Sequence, residues 1–422
     1  MVQSFPQPSL TLPELLAPAG SLEKLRVAVH YGADAVYLAG KQHSLRARAA
    51  NFSEHELRQG VDYAHTHGVK VYAALNIFAH NNDLDELANS LAFLADAGVD
   101  ACIVADPGVI RLAKQHVPAM PLHLSTQANV TNLEHARFWE EQGLRRLNLA
   151  RELSLQEVEA IRAAVDCELE VFVHGALCIS YSGRCLLSSY FTGRDANQGD
   201  CAQPCRYSYA LVEEKRPGQY FPVVEDERGT YIFNSRDLCL LRHLPVLVQA
   251  GVDSLKIEGR MKSVGYVGAV VHLYRQALLW IQAMQVGAGA NLHSLVLPQE
   301  FFAELEAIGT RGYTENFFQN NPNADDTLHQ ASRLAQSYVP VGLVRQAEPL
   351  FIETRHTLAV GDEVECLVPG RSQPLSARVA TMEDEKGQAL ERAHAGRLLR
   401  VQLNPEVAAL SPHSLLRKKL TG

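Results

Sequence analysis

Apolar residues in the first 260 positions alternate between two rhythms, short β-rich runs and longer stretches of helical period. The first rhythm predicts strands beginning near Leu15, Ala35, Val69, Ala101, Leu122, Arg146, Leu169 and Ser254. The second predicts helices between them. Parallel strands need such crossover connections, and eight strands in this arrangement predict a closed (β/α)8 barrel of the TIM type. Ser53 with Glu56, Thr131 with Glu134, and Ser154 with Glu157 are spaced as capping boxes, in which each side chain satisfies an exposed helix N–H. Gly32, Gly98 and Gly251 follow amphipathic stretches, and each opens a similar phrase: GADA, GVDA, GVDS. A recurring helix-to-strand joint is expected, without a full sequence repeat.

Strand starts lie about 20 to 34 residues apart until the last interval, where 85 residues separate Leu169 from Ser254. A connection needs far fewer, so an insertion follows strand seven. It holds four cysteines, a candidate hairpin around GQYFPVVEDERGTYIFNS and a predicted helix from Asp237 to Ala250. It emerges at the C-terminal end of a barrel strand, where barrel enzymes place their chemistry. Strand alternation points to the same place. His123, Ser125 and Gln127 share one face, as do Glu170, Phe172 and His174, and Lys256, Glu258 and Arg260. These polar faces are expected to converge inside the barrel mouth.

After a predicted helix from Ser263 to about Met284, the pattern changes to a Gly/Ala-rich linker, a helical stretch from Pro298 to Ile308 and the polar NNPNADD. The segments VPVGLV, LFIET, VGDEVECLV, SARVATM and RLLRVQL then read as short strands. The expected organisation is a barrel over 1–285 with a cysteine loop at 174–206, a linker and helical extension over 286–334, and a small antiparallel β-barrel over 335–422.

Composition narrows the classes. With 47% hydrophobic and 20% charged residues among 422, the chain reads as an ordinary globular protein. Its net charge of −8 argues against coating a nucleic acid over the whole surface, although a local basic site is compatible with it. No apolar run reaches the roughly 20 residues that cross a bilayer, so no membrane partner is expected. MVQSFPQPSL lacks the basic start and apolar core of a secretion signal, and a cytoplasmic location is expected. In that compartment the eight cysteines are not expected to form a disulfide framework.

Four of those cysteines fall in HGALCISYSGRCLLSSYFTGRDANQGDCAQPCR, with six residues between Cys178 and Cys185, fifteen to Cys201 and three to Cys205. Four thiolates so placed can complete a tetrahedral metal site or hold a cubane cluster. Zinc sites usually use two close pairs, which the first spacing does not match, so spacing alone leaves iron–sulfur and zinc about level, with unligated thiols a third reading. Cys102, Cys167, Cys239 and Cys366 are scattered and read as buried small hydrophobes.

The stretch EVFVHGALCISYSGRCLLS resembles the signature of the collagenase-like peptidase family of unknown catalytic type. The resemblance extends through ELLAPAGSLEKLRVAVHYGADAVY, STQAN at Ser125, RELS at Arg151, DCAQPCR at Asp200, SLKIEGRMKS at Ser254 and RGYTENFF at Arg311, over about 330 residues. Within the family it is similar to the proteins that modify tRNA to 5-hydroxyuridine. The resemblance implies a 4Fe-4S cluster on Cys178, Cys185, Cys201 and Cys205, with Cys239 as a reserve ligand, and the iron–sulfur assembly machinery as a partner. It implies oxygen-independent, prephenate-dependent hydroxylation at C5 of the wobble uridine, with the tRNA anticodon loop as substrate. Ribosomal RNA or a quinone precursor are alternative substrates for the same chemistry.

The family name also implies a peptidase. The chain has no HExxH helix and no GxSxG elbow, which leaves a dyad of Cys178 and His174 as the protease arrangement.

For an anticodon loop, Arg184, Arg194, Arg206, Lys256, Arg260 and Lys262 are candidates to meet phosphates, and Gln127 to meet the substrate beside them. Arg46 and Arg48, with Arg260, are candidates to grip the two carboxylates of prephenate. His174 and Glu258 are candidates for proton transfer. Competing roles are solvated surface charges for the cations, a satisfied core position for His174, and an ion pair of Glu258 with Lys256 or Arg260.

Overall fold

Eight parallel strands close into a barrel: β1 (Glu14–Pro18), β2 (Ala35–Leu38), β3 (Lys70–Leu75), β4 (Ala101–Val104), β5 (Leu122–Leu124), β6 (Arg146–Asn148), β7 (Glu168–Ala176) and β8 (Ser254–Ile257), with β8 bonded to both β1 and β7. The computed structural model describes residues 11–40, 51–178, 180–194, 196, 201–206, 225–226, 229–230, 236–289, 291–310, 312–319 and 336–420. Helices cover the outside, and the main apolar core lies between them and the strands. Within this fold the expected (β/α)8 class is observed. Among the described residues, no helix is long and apolar enough to cross a membrane.

The recurring joints have a physical role. Gly32, Gly98 and Gly251 take φ of +92°, +78° and +71°, the left-handed conformation that ends a helix at little cost to glycine. Two residues later, each phrase supplies an aspartate to the strand next door. Asp34 Oδ2 accepts the Leu15 N–H at 2.7 Å, Asp100 Oδ2 that of Val71 at 2.7 Å, and Asp253 Oδ2 that of Leu169 at 2.8 Å. The same motif therefore ends a helix and anchors a neighbouring strand.

Ser53 and Ser154 form their capping boxes with Glu56 and Glu157. Thr131 does not. The helix Leu133–Glu141 starts one residue later on Asn132, a stronger cap than threonine, whose side chain accepts from the His135 N–H.

The insertion after β7 departs from expectation at Asp237. Asp237–Cys239 is a strand, antiparallel to the end of β7 and parallel to Tyr313–Thr314, and the helix occupies only Leu244–Gln249. The end of β7 runs past β8 and offers free backbone groups, while Pro245 fits only the first turn of a helix. Tyr313–Thr314 thus adds a strand in a region expected to be linker and helix. In the candidate hairpin, Glu225–Asp226 and Gly229–Thr230 pair antiparallel; its remaining residues lie outside those described.

The C-terminal strands close into a six-stranded antiparallel barrel. Its last strand, Leu415–Lys419, had no place in the expected set. Tyr31 binds this barrel to the first: its hydroxyl donates to Leu367 O at 2.9 Å and accepts from the Leu415 N–H at 2.7 Å.

Asp100→Ala strands the Val71 N–H at the base of β3. A loss of about 1–3 kcal/mol is expected, the cost of an unsatisfied buried donor, and a denaturant midpoint equal to wild type would refute the anchoring role.

Candidate active site at the mouth of the barrel

Below the mouth, the barrel interior is charged on one side. Lys256 Nζ lies 2.7 Å from Glu170 Oε1, and Arg146 reaches Glu14 at 2.6 Å, Glu168 at 2.6 Å and Glu170 at 3.3 Å. Burial pulls the Lys256 ammonium below its ordinary pKa, and Glu170 opposes that shift. Lys256 is therefore held by Glu170, a different carboxylate from Glu258.

Above this network is a cavity of about 130 Å³ at the C-terminal ends of the strands. Three cysteine thiols, Cys178, Cys185 and Cys201, line it together with Gln127, Lys256, Glu258 and Arg260. Tyr37 and Phe172 provide its aromatic surfaces, and Asn76, Ser125, Asn148 and Arg151 its further polar groups. Arg151 links strand and loop, donating to Ala176 O at 2.8 Å and to Ser182 Oγ at 2.9 Å while stacking on Phe172. Arg260 Nη2 donates to Asn51 Oδ1 at 2.5 Å. Gln127 sits on a 3-10 turn, Thr126–Ala128, beyond the end of β5.

Asn148 and Arg151 were missed as site residues. Asn148 was legible, since it alternates with Leu147 on the same face as Arg146. Arg151 was visible only as part of RELS, and its loop position carries no periodic signal.

Other expected residues lie elsewhere. His174 is on the outer face of β7, 1% exposed, and packs against the rings of Tyr266, Tyr274 and Tyr313. The reason is a register shift. Lys256 pairs with Phe172 but Ile257 pairs with His174, so the extra residue, Val173, reverses the alternation. Cys178 lines the cavity on the other side, and no hydrogen bond joins it to His174 among the described residues. The peptidase dyad is not assembled.

Cys239, the reserve ligand, is buried beside Tyr274 and lines a different cavity. Burial pushes its thiol up to about 11. Cys205 stands on the turn Pro204–Arg206, half-buried and outside the cavity lining. Lys262 lies 3.6 Å from Asp237, and Arg184 is exposed with its guanidinium over the Phe78 ring. Arg46, Arg48 and the side chain of Arg206 lie outside the described residues.

All the cysteines are free thiols. Among the described residues, no group of three or more His, Cys, Asp or Glu side chains is gathered closely enough to hold a metal ion. The donor set nevertheless suits a thiophilic metal, with three thiols on one cavity and the fourth on the adjoining turn.

Fold and cavity together define a TIM-barrel protein with a thiol-bearing loop over its C-terminal mouth. The model for peptidase family U32 matches residues 20–328, that for the U32 C-terminal domain matches 336–417, and the chain belongs to this family. A tRNA hydroxylation protein of Bacillus subtilis (strain 168) is 38% identical over 96% of this chain and 94% of its own length. The tRNA hydroxylation protein P of Escherichia coli (strain K12) is 37% identical over 90% of each chain. The 23S rRNA 5-hydroxycytidine C2501 synthase of the same organism is 35% identical over 88% of this chain but 54% of its own.

Burial pushes the His174 imidazole down to about 3, against 6.5 for the free side chain. The unfolded chain therefore takes up the proton first, and the stability from keeping His174 neutral is complete above about pH 6.5 and lost as the pH falls toward 3. His174→Phe should flatten that part of the pH dependence of the denaturation midpoint. An unchanged slope would place His174 in contact with solvent.

Proposed function

We propose that this protein hydroxylates RNA, replacing the C5 hydrogen of the wobble uridine in a tRNA anticodon loop, with prephenate as co-substrate and a 4Fe-4S cluster on Cys178, Cys185, Cys201 and Cys205. The observation that carries the reading is the single cavity where three of these thiols meet Gln127, Glu258 and Arg260. It is supported by full-length relatives named for tRNA hydroxylation. When bound on these cysteines, the cluster would supply one-electron redox and Lewis-acid chemistry beside the base.

The chain's own groups have separate tasks. Glu258 is the carboxylate that lines the cavity, and it would hold or move a proton. Arg260, with Arg46 and Arg48, would hold the carboxylates of prephenate. Outside the cavity, the cysteine loop carries Tyr181, Leu186, Tyr190 and Phe191 to the surface, with Tyr190 82% exposed. Exposed aromatics on the loop that carries the thiols suit unpaired bases, which stack on flat side chains.

Cys178→Ala and Cys201→Ala should each abolish iron and sulfide binding and the modification. Retained iron and sulfide after anaerobic purification would sink the ligand assignment, and zinc in place of iron would sink the cluster. Nucleoside mass spectrometry of a deletion strain, grown anaerobically so that no oxygen-dependent route contributes, should show loss of tRNA 5-hydroxyuridine. Loss of a ribosomal hydroxycytidine instead would move the substrate to ribosomal RNA.

A further inference from the structure

Two buried amides in the cavity have polar atoms with nothing to bond. Gln127 and Asn148 are each 2% exposed, both line the cavity, and neither Gln127 Nε2 nor Asn148 Oδ1 has a hydrogen-bond partner. Buried polar groups are normally satisfied, and unsatisfied ones on residues that line a cavity are candidates for a ligand's match once the side chains turn toward it.

The identity of each atom follows from its surroundings. Gln127 Oε1 accepts the Ser125 hydroxyl at 3.2 Å, and Ser125 Oγ accepts in turn from the Gln127 N–H at 3.4 Å and Asn76 Nδ2 at 3.5 Å. That network orients the Gln127 amide so that Nε2 is its unused donor. The cysteine loop packs against this amide. A Cβ built on Gly183, at φ +73°, would lie 2.9 Å from both Cγ and Nε2 of Gln127, so the loop backbone packs directly on the amide. Asn148, at the end of β6, contributes an acceptor.

We propose that Gln127 and Asn148 read the pairing edge of one pyrimidine base, Gln127 Nε2 donating to a ring carbonyl and Asn148 Oδ1 accepting from the adjacent ring N–H. One donor and one acceptor match the O4 and N3–H of uracil. Cavities of roughly 150 Å³ accept a single six-membered ring, and this one is of similar size. Tyr37 and Phe172 line the cavity that a base taken out of its stack would enter. The inference rests on the RNA-hydroxylase reading and names the residues that recognise the base.

The test uses full-length, anaerobically purified protein with its metal and two anticodon hairpins that differ only in uridine or 3-methyluridine at the wobble position. Fluorescence anisotropy should show the methylated hairpin bound about tenfold or more weakly by wild type, the scale of one lost hydrogen bond in a closed site. Asn148→Ala should bind both hairpins alike, and Gln127→Glu, which exchanges the donor for an acceptor, should lose a similar factor for uridine. Equal binding of the two hairpins by wild type overturns this inference and leaves the RNA reading standing. Absence of binding to either overturns both. If a variant fails to fold by circular dichroism, the wild-type comparison alone decides.

Discussion

The site depends on one extra residue in β7. Val173 has no partner on β8, and its carbonyl instead accepts from the Leu240 N–H and the Tyr274 hydroxyl, both at 2.8 Å. Below it, Glu170 and Phe172 face the interior; above it, His174 faces out. Beyond it, β7 leaves the barrel wall and pairs with Asp237–Cys239. Gly175 permits this path. At φ +107°, a side chain there would meet Glu258 O at 2.6 Å, while the Glu258 N–H donates to His174 O at 2.8 Å. The bulge therefore sets both where the cysteine loop departs and where Glu258 enters the cavity.

Beneath the loop, two cations and three carboxylates fill space that a simpler barrel would fill with apolar side chains. Buried ion pairs contribute little net stability, because desolvation consumes most of the attraction. They do hold positions. Glu170 ties β7 to β6 through Arg146 and to β8 through Lys256. Those three strands carry Phe172, Asn148 and Glu258 into the cavity, so the network fixes the relative height of its walls.

The eight barrel strands were legible because the hydrophobic period survives in every one of them. The aspartates of GADA, GVDA and GVDS were visible as a recurrence, but their bonds to neighbouring strands follow from barrel stagger, which a linear reading lacks. His174 was misplaced for a specific reason: alternation counts residues, and a bulge adds one without changing composition. Gln127 reached the cavity although β5 ends at Leu124, since a 3-10 turn happened to preserve its direction. Asp237–Cys239 read as helix because Leu238, Leu241 and Leu244 have helical spacing, and only the open end of β7 turns the first of them into strand. Leu415–Lys419 has a basic end that hides its apolar start, and it is recognisable only as the closing strand of a barrel.

The charge balance bears on how RNA would approach. With a net charge of −8, long-range attraction to phosphate is weak, and Lys256, Arg146 and Lys262 are engaged with carboxylates inside the protein. On the RNA reading, affinity must come from short-range contacts. The rings of Tyr181, Tyr190 and Phe191 lie on the same loop as the thiols, and Gly183 of that loop rests on Gln127. Stacking outside and metal binding would then act on one segment of chain, which rests on the amide assigned to reading the base. Because the backbone of that loop already rests on the Gln127 amide, a metal held by its thiols and a base held at Gln127 would be coupled through a few residues rather than through the whole barrel.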